Sequence, residues 1–168
     1  MSERIEIKME KCREGAVIPK YANDGDAGMD IYAAEDVYIE PGRTALIPTG
    51  IKMAIPYGYE VQIRPRSGIS LKTPLRIPNA PGTIDCGYRD EVNVIMYNDS
   101  FRVEEGLGVE PLTLKNTGCL HGTYKMCKGD RVAQMVVAKV EYCDPVVVDS
   151  VADIGENRGG GFGSTGIG

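Results

Sequence analysis

A chain of 168 residues that is 42% hydrophobic is long enough to bury a core as one domain without disulfides or a structural metal. Its net charge of −5 argues against non-specific nucleic-acid binding, which relies on Lys and Arg to neutralise phosphates, so an anionic ligand needs a local basic cluster or a cation. The scattered cysteines Cys12, Cys86, Cys119, Cys127 and Cys143 form no C-x-x-C pair and the only histidine is His121, which argues against a zinc site and a His-based nucleophilic triad.

The chain starts without an apolar leader and has no run of membrane-spanning length, so a reduced cytoplasm is the expected compartment and no membrane partner is expected. Twenty-one glycines, ten prolines and many Val, Ile and Tyr residues favour short strands and tight turns, hence an all-β fold with very little helix.

In chain order, apolar or alternating stretches predict strands over 5–9, 37–39, 44–48, 59–63, 92–97, 132–140 and 146–148. Turn chemistry separates them at 23–26, 40–42, 55–58 and 128–130, where Pro fixes φ or Gly supplies a positive one. Before the second strand, Ala27-Gly28-Met29-Asp30 sets one carboxylate among apolar residues, either a buried acceptor or part of a metal shell. After the fourth, Arg64-Pro65-Arg66-Ser67-Gly68 reads as a polar turn or as an anion site at the start of a short helix over 67–72.

Residues 81–90 read as a β-hairpin, with Asp85 behind Ile84 and Tyr88 close by. Such an Asp usually bonds local backbone, but partly desolvated it is also a candidate to take a proton from water. Residues 99–123 are less patterned and read as an insertion between two strands. Asp130 and Arg131, opening the strand that carries Gln134, read as a turn ion pair of little energetic weight.

The glycine-rich end, 154–168, reads by composition as a flexible tail. Its consecutive glycines also allow N–H groups to converge on an anion, and no Gly-Lys-Ser/Thr follows to make it a Walker A loop. Phe162, one of two phenylalanines in the chain, suggests docking on something flat. The domain is thus expected over 1–153, with an arm over 154–168.

Five segments together resemble the motifs of the homotrimeric dUTPase family, in order and in approximate spacing. They are Ala27-Gly28-Met29-Asp30, Pro65-Arg66-Ser67-Gly68, Gly82-Thr83-Ile84-Asp85-Cys86-Gly87-Tyr88, Gly129-Asp130-Arg131-Val132-Ala133-Gln134 and Gly161-Phe162-Gly163-Ser164-Thr165-Gly166. The resemblance implies a jelly-roll-like β-barrel and a homotrimer whose sites draw on three chains, with the C-terminal arm exchanged and closing over the nucleotide.

The implied activity is hydrolysis of dUTP to dUMP and pyrophosphate with Mg²⁺, which limits uracil entry into DNA and supplies dUMP for thymidylate synthesis. Carried over, Asp85 is the general base for a water attacking the α-phosphorus, and Tyr88 packs under the deoxyribose and excludes a 2′-hydroxyl. The backbone around Thr83, Ile84 and Asn93, with the Asn79 side chain, binds the uracil edge; Arg66, Ser67, Gly68 and Gln134 hold phosphates. Asp30 acts through water in the outer shell of the metal or by orienting Arg66. Phe162 stacks on uracil, and Arg158, Gly163, Ser164 and Thr165 come to the phosphates as the arm closes.

Three features depart from the family pattern. Arg158 precedes Phe162 by four positions, one fewer than in R-G-x-G-G-F; Asp90 replaces a usual glycine; and the stretch 99–128 is longer than in compact members, as in some phage-encoded dUTPases. The insertion motivates a further reading, a regulatory protein partner engaged through 99–123. The enzymatic rival is dCTP deaminase, which shares the fold but whose serine-arginine motif and catalytic Glu are not recognisable here. A trimer without catalysis is disfavoured by the presence of Asp85, Tyr88 and Gln134.

Overall fold

The computed structural model describes residues 4–101, 110–116 and 118–156. Within them the chain forms β1 (Lys8–Lys11), β2 (Met29–Tyr32), β3 (Val37–Ile39), β4 (Thr44–Pro48), β5 (Ile51–Ala54) and β6 (Tyr59–Arg64), then the helix α1 (Ser67–Lys72). There follow β7 (Leu75–Arg76), β8 (Gly82–Ile84), β9 (Asn93–Asn98), β10 (Tyr124–Met126) and β11 (Arg131–Lys139). The expected all-β class holds, and among the described residues the one short helix lies at 67–72 as predicted, but its N-cap is Arg66, with no side-chain cap hydrogen bond, and the serine expected to cap it is its first residue.

The main sheet runs β2-β11-β6-β8, a second runs β4-β9-β7, and β1-β5 and β10-β3 are two-stranded; every pairing is antiparallel. Antiparallel strands covering one core should alternate, and β9 does so along its whole length, with Val94, Met96 and Asn98 inward. Ile47, Val61, Ile63, Tyr124 and Met135 join Val94 and Met96 in one hydrophobic cluster, all at most 3% exposed.

Asn98 is fully buried, one of the buried polar residues of the described chain with Asp30, Thr49, Thr73 and Ser100. Its Nδ2 donates to the Ile39 and Gly122 carbonyls at 2.8 Å each, and its Oδ1 accepts the Ser100 N–H at 3.1 Å. These bonds tie β3 and β9 to the far end of the excursion over 99–123, which leaves after β9 and returns to β10.

Three expectations need correction. Residues 81–90 are not a hairpin: β8 pairs with β6, while β9 pairs with β4 and β7, so the two arms of this segment enter different sheets. Residues 146–148 do not form a strand within the chain, and Val146 and Val147 are 80% and 98% exposed. Their apolar character has no partner edge to pair with among the described residues. The first strand also lies later than predicted, at Lys8–Lys11. Among the described residues no helix is long and apolar enough to cross a membrane.

Candidate active site

Asp30 lies in β2, 8% exposed. Burying a carboxylate is costly unless cations and hydrogen bonds compensate. Here Arg66 Nε donates to Oδ1 at 3.0 Å, Arg131 Nη1 to Oδ2 at 3.2 Å, and Gln134 Nε2 to Oδ1 at 3.5 Å. Burial pushes this carboxyl up, but the Arg66 charge and the Arg131 and Gln134 hydrogen bonds together outweigh it and hold it below the usual carboxylate range.

Strand pairing explains the convergence. Gln134 of β11 stands opposite Asp30 of β2 on one side and Arg64 of β6 on the other. Arg131 is three residues before Gln134 and in a regular strand would face the opposite way. The β2–β11 register shifts between Arg131 and Ala133, and both Val132 and Ala133 are buried, so a bulge turns Arg131 to the same side as Gln134.

Gly28 makes room for the amide: a Cβ there would lie 3.3 Å from Gln134 Oε1. The expected Asp130–Arg131 ion pair is not formed. Asp130 instead accepts the Cys127 N–H at 2.9 Å, closing its own turn, and Arg131 pairs with Asp30.

Arg66 has extended backbone at the junction of β6 and α1, where its carbonyl accepts the Ile69 and Ser70 N–H groups at 3.1 Å each. Ser67 and Gly68 follow in the exposed first turn, whose N–H groups have no acceptor within the helix. Asp30, Arg66, Ser67, Gly68 and Gln134, from three separate motifs, therefore form one polar corner with Arg131. Its donors, guanidinium forks and first-turn amides, suit a multiply charged anion.

A second group surrounds β8. Gly82 pairs with Ile63 and Thr83 with Gln62, and the Asn79 amide covers Gly82, its Nδ2 3.1 Å from where a Cβ would sit. Beyond β8 the Tyr88 N–H donates to the Asp85 carbonyl at 3.0 Å, making a turn that leaves the Asp85 carboxylate exposed. The Tyr88 hydroxyl donates to the Glu91 carbonyl at 2.9 Å, and Asn93 Nδ2 reaches the same oxygen at 3.0 Å.

Asn79, Thr83, Ile84, Asp85, Tyr88 and Asn93 are thus ordered around one turn, while among the described residues no hydrogen bond or ion pair joins this group to the Asp30 corner. Arg158, Phe162, Gly163, Ser164 and Thr165 lie outside the described residues. Sequence reasoning passed over Arg131 as a partner of Asp30, and over Glu91 and Arg13, whose pairing at 2.7 Å spans most of a hundred positions with no local signal.

Comparison with known proteins adds the following. The family model described as dUTPase matches residues 14–106. The deoxyuridine 5′-triphosphate nucleotidohydrolase of Picosynechococcus sp. is 42% identical over 96% of this chain and 99% of its own. That of Solibacter usitatus is 42% identical over 99% of each. Among solved structures, the Staphylococcus bacteriophage 80alpha dUTPase with dUpNHpp is similar with a TM-score of 0.84 and 29% identity, covering 96% of this chain and 99% of that one. The dUTPase from phage phi11 of S. aureus, noted for a species-specific insert, gives 0.79 and 29% over 89% of this chain and 100% of that one.

Proposed function

The chain belongs to the dUTPase family, and from that premise we propose that it hydrolyses dUTP to dUMP and pyrophosphate. The observation that carries the reading is the turn Asp85-Cys86-Gly87-Tyr88, which presents a carboxylate with no partner among the described residues beside an anchored tyrosine. Asp85 takes a proton from a water whose oxygen attacks the α-phosphorus. The bond from that phosphorus to the bridging oxygen breaks, and pyrophosphate leaves. Tyr88 lies under the deoxyribose, while Asn79, Thr83, Ile84 and Asn93 read the uracil edge, where a site built to hydrogen-bond one base discriminates more strongly than shape alone.

Arg66, Ser67, Gly68 and Gln134 hold the phosphates. Asp30 acts here by fixing Arg66, since both its oxygens are already engaged. For the same reason Asp30 does not fit as a direct ligand of Mg²⁺, and among the described residues no three His, Cys, Asp or Glu side chains cluster to hold a metal. Mg²⁺ carried by the triphosphate would offset its charge.

In the main sheet β11 and β6 lie between β2, which carries Asp30, and β8, which leads into the Asp85 turn, an order that supports a trimer in which one copy supplies Asp85 and Tyr88 to the Asp30 corner of another. The exposed Val146–Val148 segment supports exchange of the C-terminal arm between copies, with Arg158, Phe162, Gly163, Ser164 and Thr165 closing over dUTP. Within the chain, a groove lined by Ile5, Ile7, Met9, Met29, Tyr59 and Val137 together with the polar Arg4, Asn23, Asp24 and Asp26 offers a mixed apolar and polar seat for such a segment.

The test is a panel of dUTP, dCTP, dTTP and UTP with Mg²⁺, scoring pyrophosphate and ammonia. Pyrophosphate from dUTP alone is expected; ammonia from dCTP would assign the deaminase instead. A regulatory partner for 99–123 is a second reading, supported by the exposed Phe101 ring against His121 at 4.7 Å. Deleting that segment should abolish partner capture without abolishing dUTP hydrolysis.

A further inference from the structure

Tyr88 and Asn93 converge on one atom. The Glu91 carbonyl oxygen accepts the Tyr88 hydroxyl at 2.9 Å and Asn93 Nδ2 at 3.0 Å, which uses both of its lone pairs. Wherever that carbonyl points, the two side chains follow.

The residue that carries this carbonyl is anchored through its side chain. Glu91 turns inward, 17% exposed, and Oε1 accepts Arg13 Nε at 2.7 Å and the Gly50 N–H at 2.8 Å. The shorter distance is that of a charge-assisted bond. Val92, next in the chain, is fixed on both sides: its N–H donates to the Ile51 carbonyl at 2.9 Å and its carbonyl accepts Thr49 Oγ1 at 2.6 Å.

Gly50 is required at this junction, because φ is +69° and a Cβ would lie 2.7 Å from the Ala16 Cβ. Arg13 is itself oriented by Glu35, which accepts Nη1 at 3.0 Å. Arg13, Thr49, Gly50 and Ile51 thus make four hydrogen bonds to Glu91 and Val92, just beyond the turn bearing Tyr88.

We infer that Glu91, braced by Arg13, is a positioning residue for both sugar and base recognition, setting Tyr88 and Asn93 through its own carbonyl. This rests on the roles given above to Tyr88 and Asn93. Exclusion of a 2′-hydroxyl by Tyr88 depends on where the ring stands, and a displacement of about 1 Å at a recognition group is enough to matter. Loosening the brace therefore degrades deoxyribose selectivity before it degrades the chemistry at the α-phosphorus.

Arg13→Ala and Glu91→Gln test it. Glu91→Gln retains an oxygen for the Gly50 N–H and is the variant chosen to keep the fold, whose thermal midpoint is measured alongside. The ratio of kcat/KM for dUTP over UTP should fall about tenfold in both, the scale of one lost hydrogen bond to a charged group. The KM for dUTP should rise by more than kcat falls. Arg13→Lys, which restores charge without the fixed Nε geometry, should recover part of the selectivity.

Reduced stability with unchanged selectivity would overturn the inference, because a merely structural brace gives that result. If the wild-type protein turns over no dUTP, the functional reading has failed separately. The brace is then judged without substrate, from the Asn93 side-chain amide resonances in NMR spectra, which should shift in Arg13→Ala and Glu91→Gln; unmoved resonances refute it.

Discussion

Replacing Asp30 by Asn removes the anion on which Arg66, Arg131 and Gln134 converge while keeping its volume. One Asn oxygen can still accept from Arg66, but the amide nitrogen then points a donor at the Arg131 guanidinium. Breaking a fully buried ion pair costs about 3–5 kcal/mol. The Arg66 side chain is 24% exposed and Arg131 53% exposed, so water restores part of what is lost. Scaling for this, the Arg66 pair contributes about 2 kcal/mol and the half-exposed Arg131 pair about 0.5 kcal/mol, for a total of about 2–3 kcal/mol.

In urea, with a slope of about 2–3 kcal/mol per molar, the midpoint should fall by about 1 M at unchanged slope, both proteins being at the same concentration. The pH dependence carries the sign of a depressed carboxyl. The contribution is fully present above the unfolded-state value near 3.8 and is lost as pH falls through the lower folded-state value, so wild type and variant should converge only in acid. An unchanged midpoint at neutral pH, or a gap that stays constant to about pH 3, refutes the assignment of Asp30 as a paired anion.

Asp85→Asn should lower kcat by about 10³-fold or more, while a non-hydrolysable dUTP analogue still binds within about threefold by calorimetry; a wild-type rate would remove the general-base role. Truncation after Asn157 should leave a folded trimer by sedimentation with little dUTP turnover, and an active truncation would mean that the arm does not close the site. Asn98→Ala strands the Ile39 and Gly122 carbonyls in the interior and should cost about 2–4 kcal/mol in urea denaturation. Gly28→Ala should leave the midpoint nearly unchanged yet weaken dUTP binding, because the new Cβ presses on the Gln134 amide; unaltered binding would dissociate Gln134 from the phosphates.

Much of this was legible because turn residues bracket the elements. β3 and β4 lie where Pro and Gly signals bound them, α1 where it was expected although Ser67 does not cap it, and β6, β9 and β11 within a residue or two. Four strands were missed. β2, β5, β7 and β10 have four residues or fewer, too short for a period to emerge, and they exist because a neighbouring edge accepts them. The opposite error occurred at 146–148, where a convincing apolar run has no edge within its own chain.

For the site, glycine and charge identified the segments, but not which cation meets which anion. Asp130 sits beside Arg131 in sequence and satisfies its own turn, whereas Asp30 lies 101 positions from Arg131 and is its partner. Glu91 gave no signal because its work is done by a backbone carbonyl, which every residue has.

The bulge in β11 gives the spelling Asp130-Arg131-Val132-Ala133-Gln134 a meaning beyond its ligands. A strand has a parity, and the extra residue reverses it, so the turn-side and core-side halves of β11 are out of phase by one position. A one-residue deletion there would shorten the strand by about 3.3 Å, a small change in length. It would nonetheless trade inside for outside along one half, carrying Arg131 away from Asp30 or Met135 out of the core. The motif is therefore a phase specification: its spacing can tolerate a changed side chain more readily than a changed count.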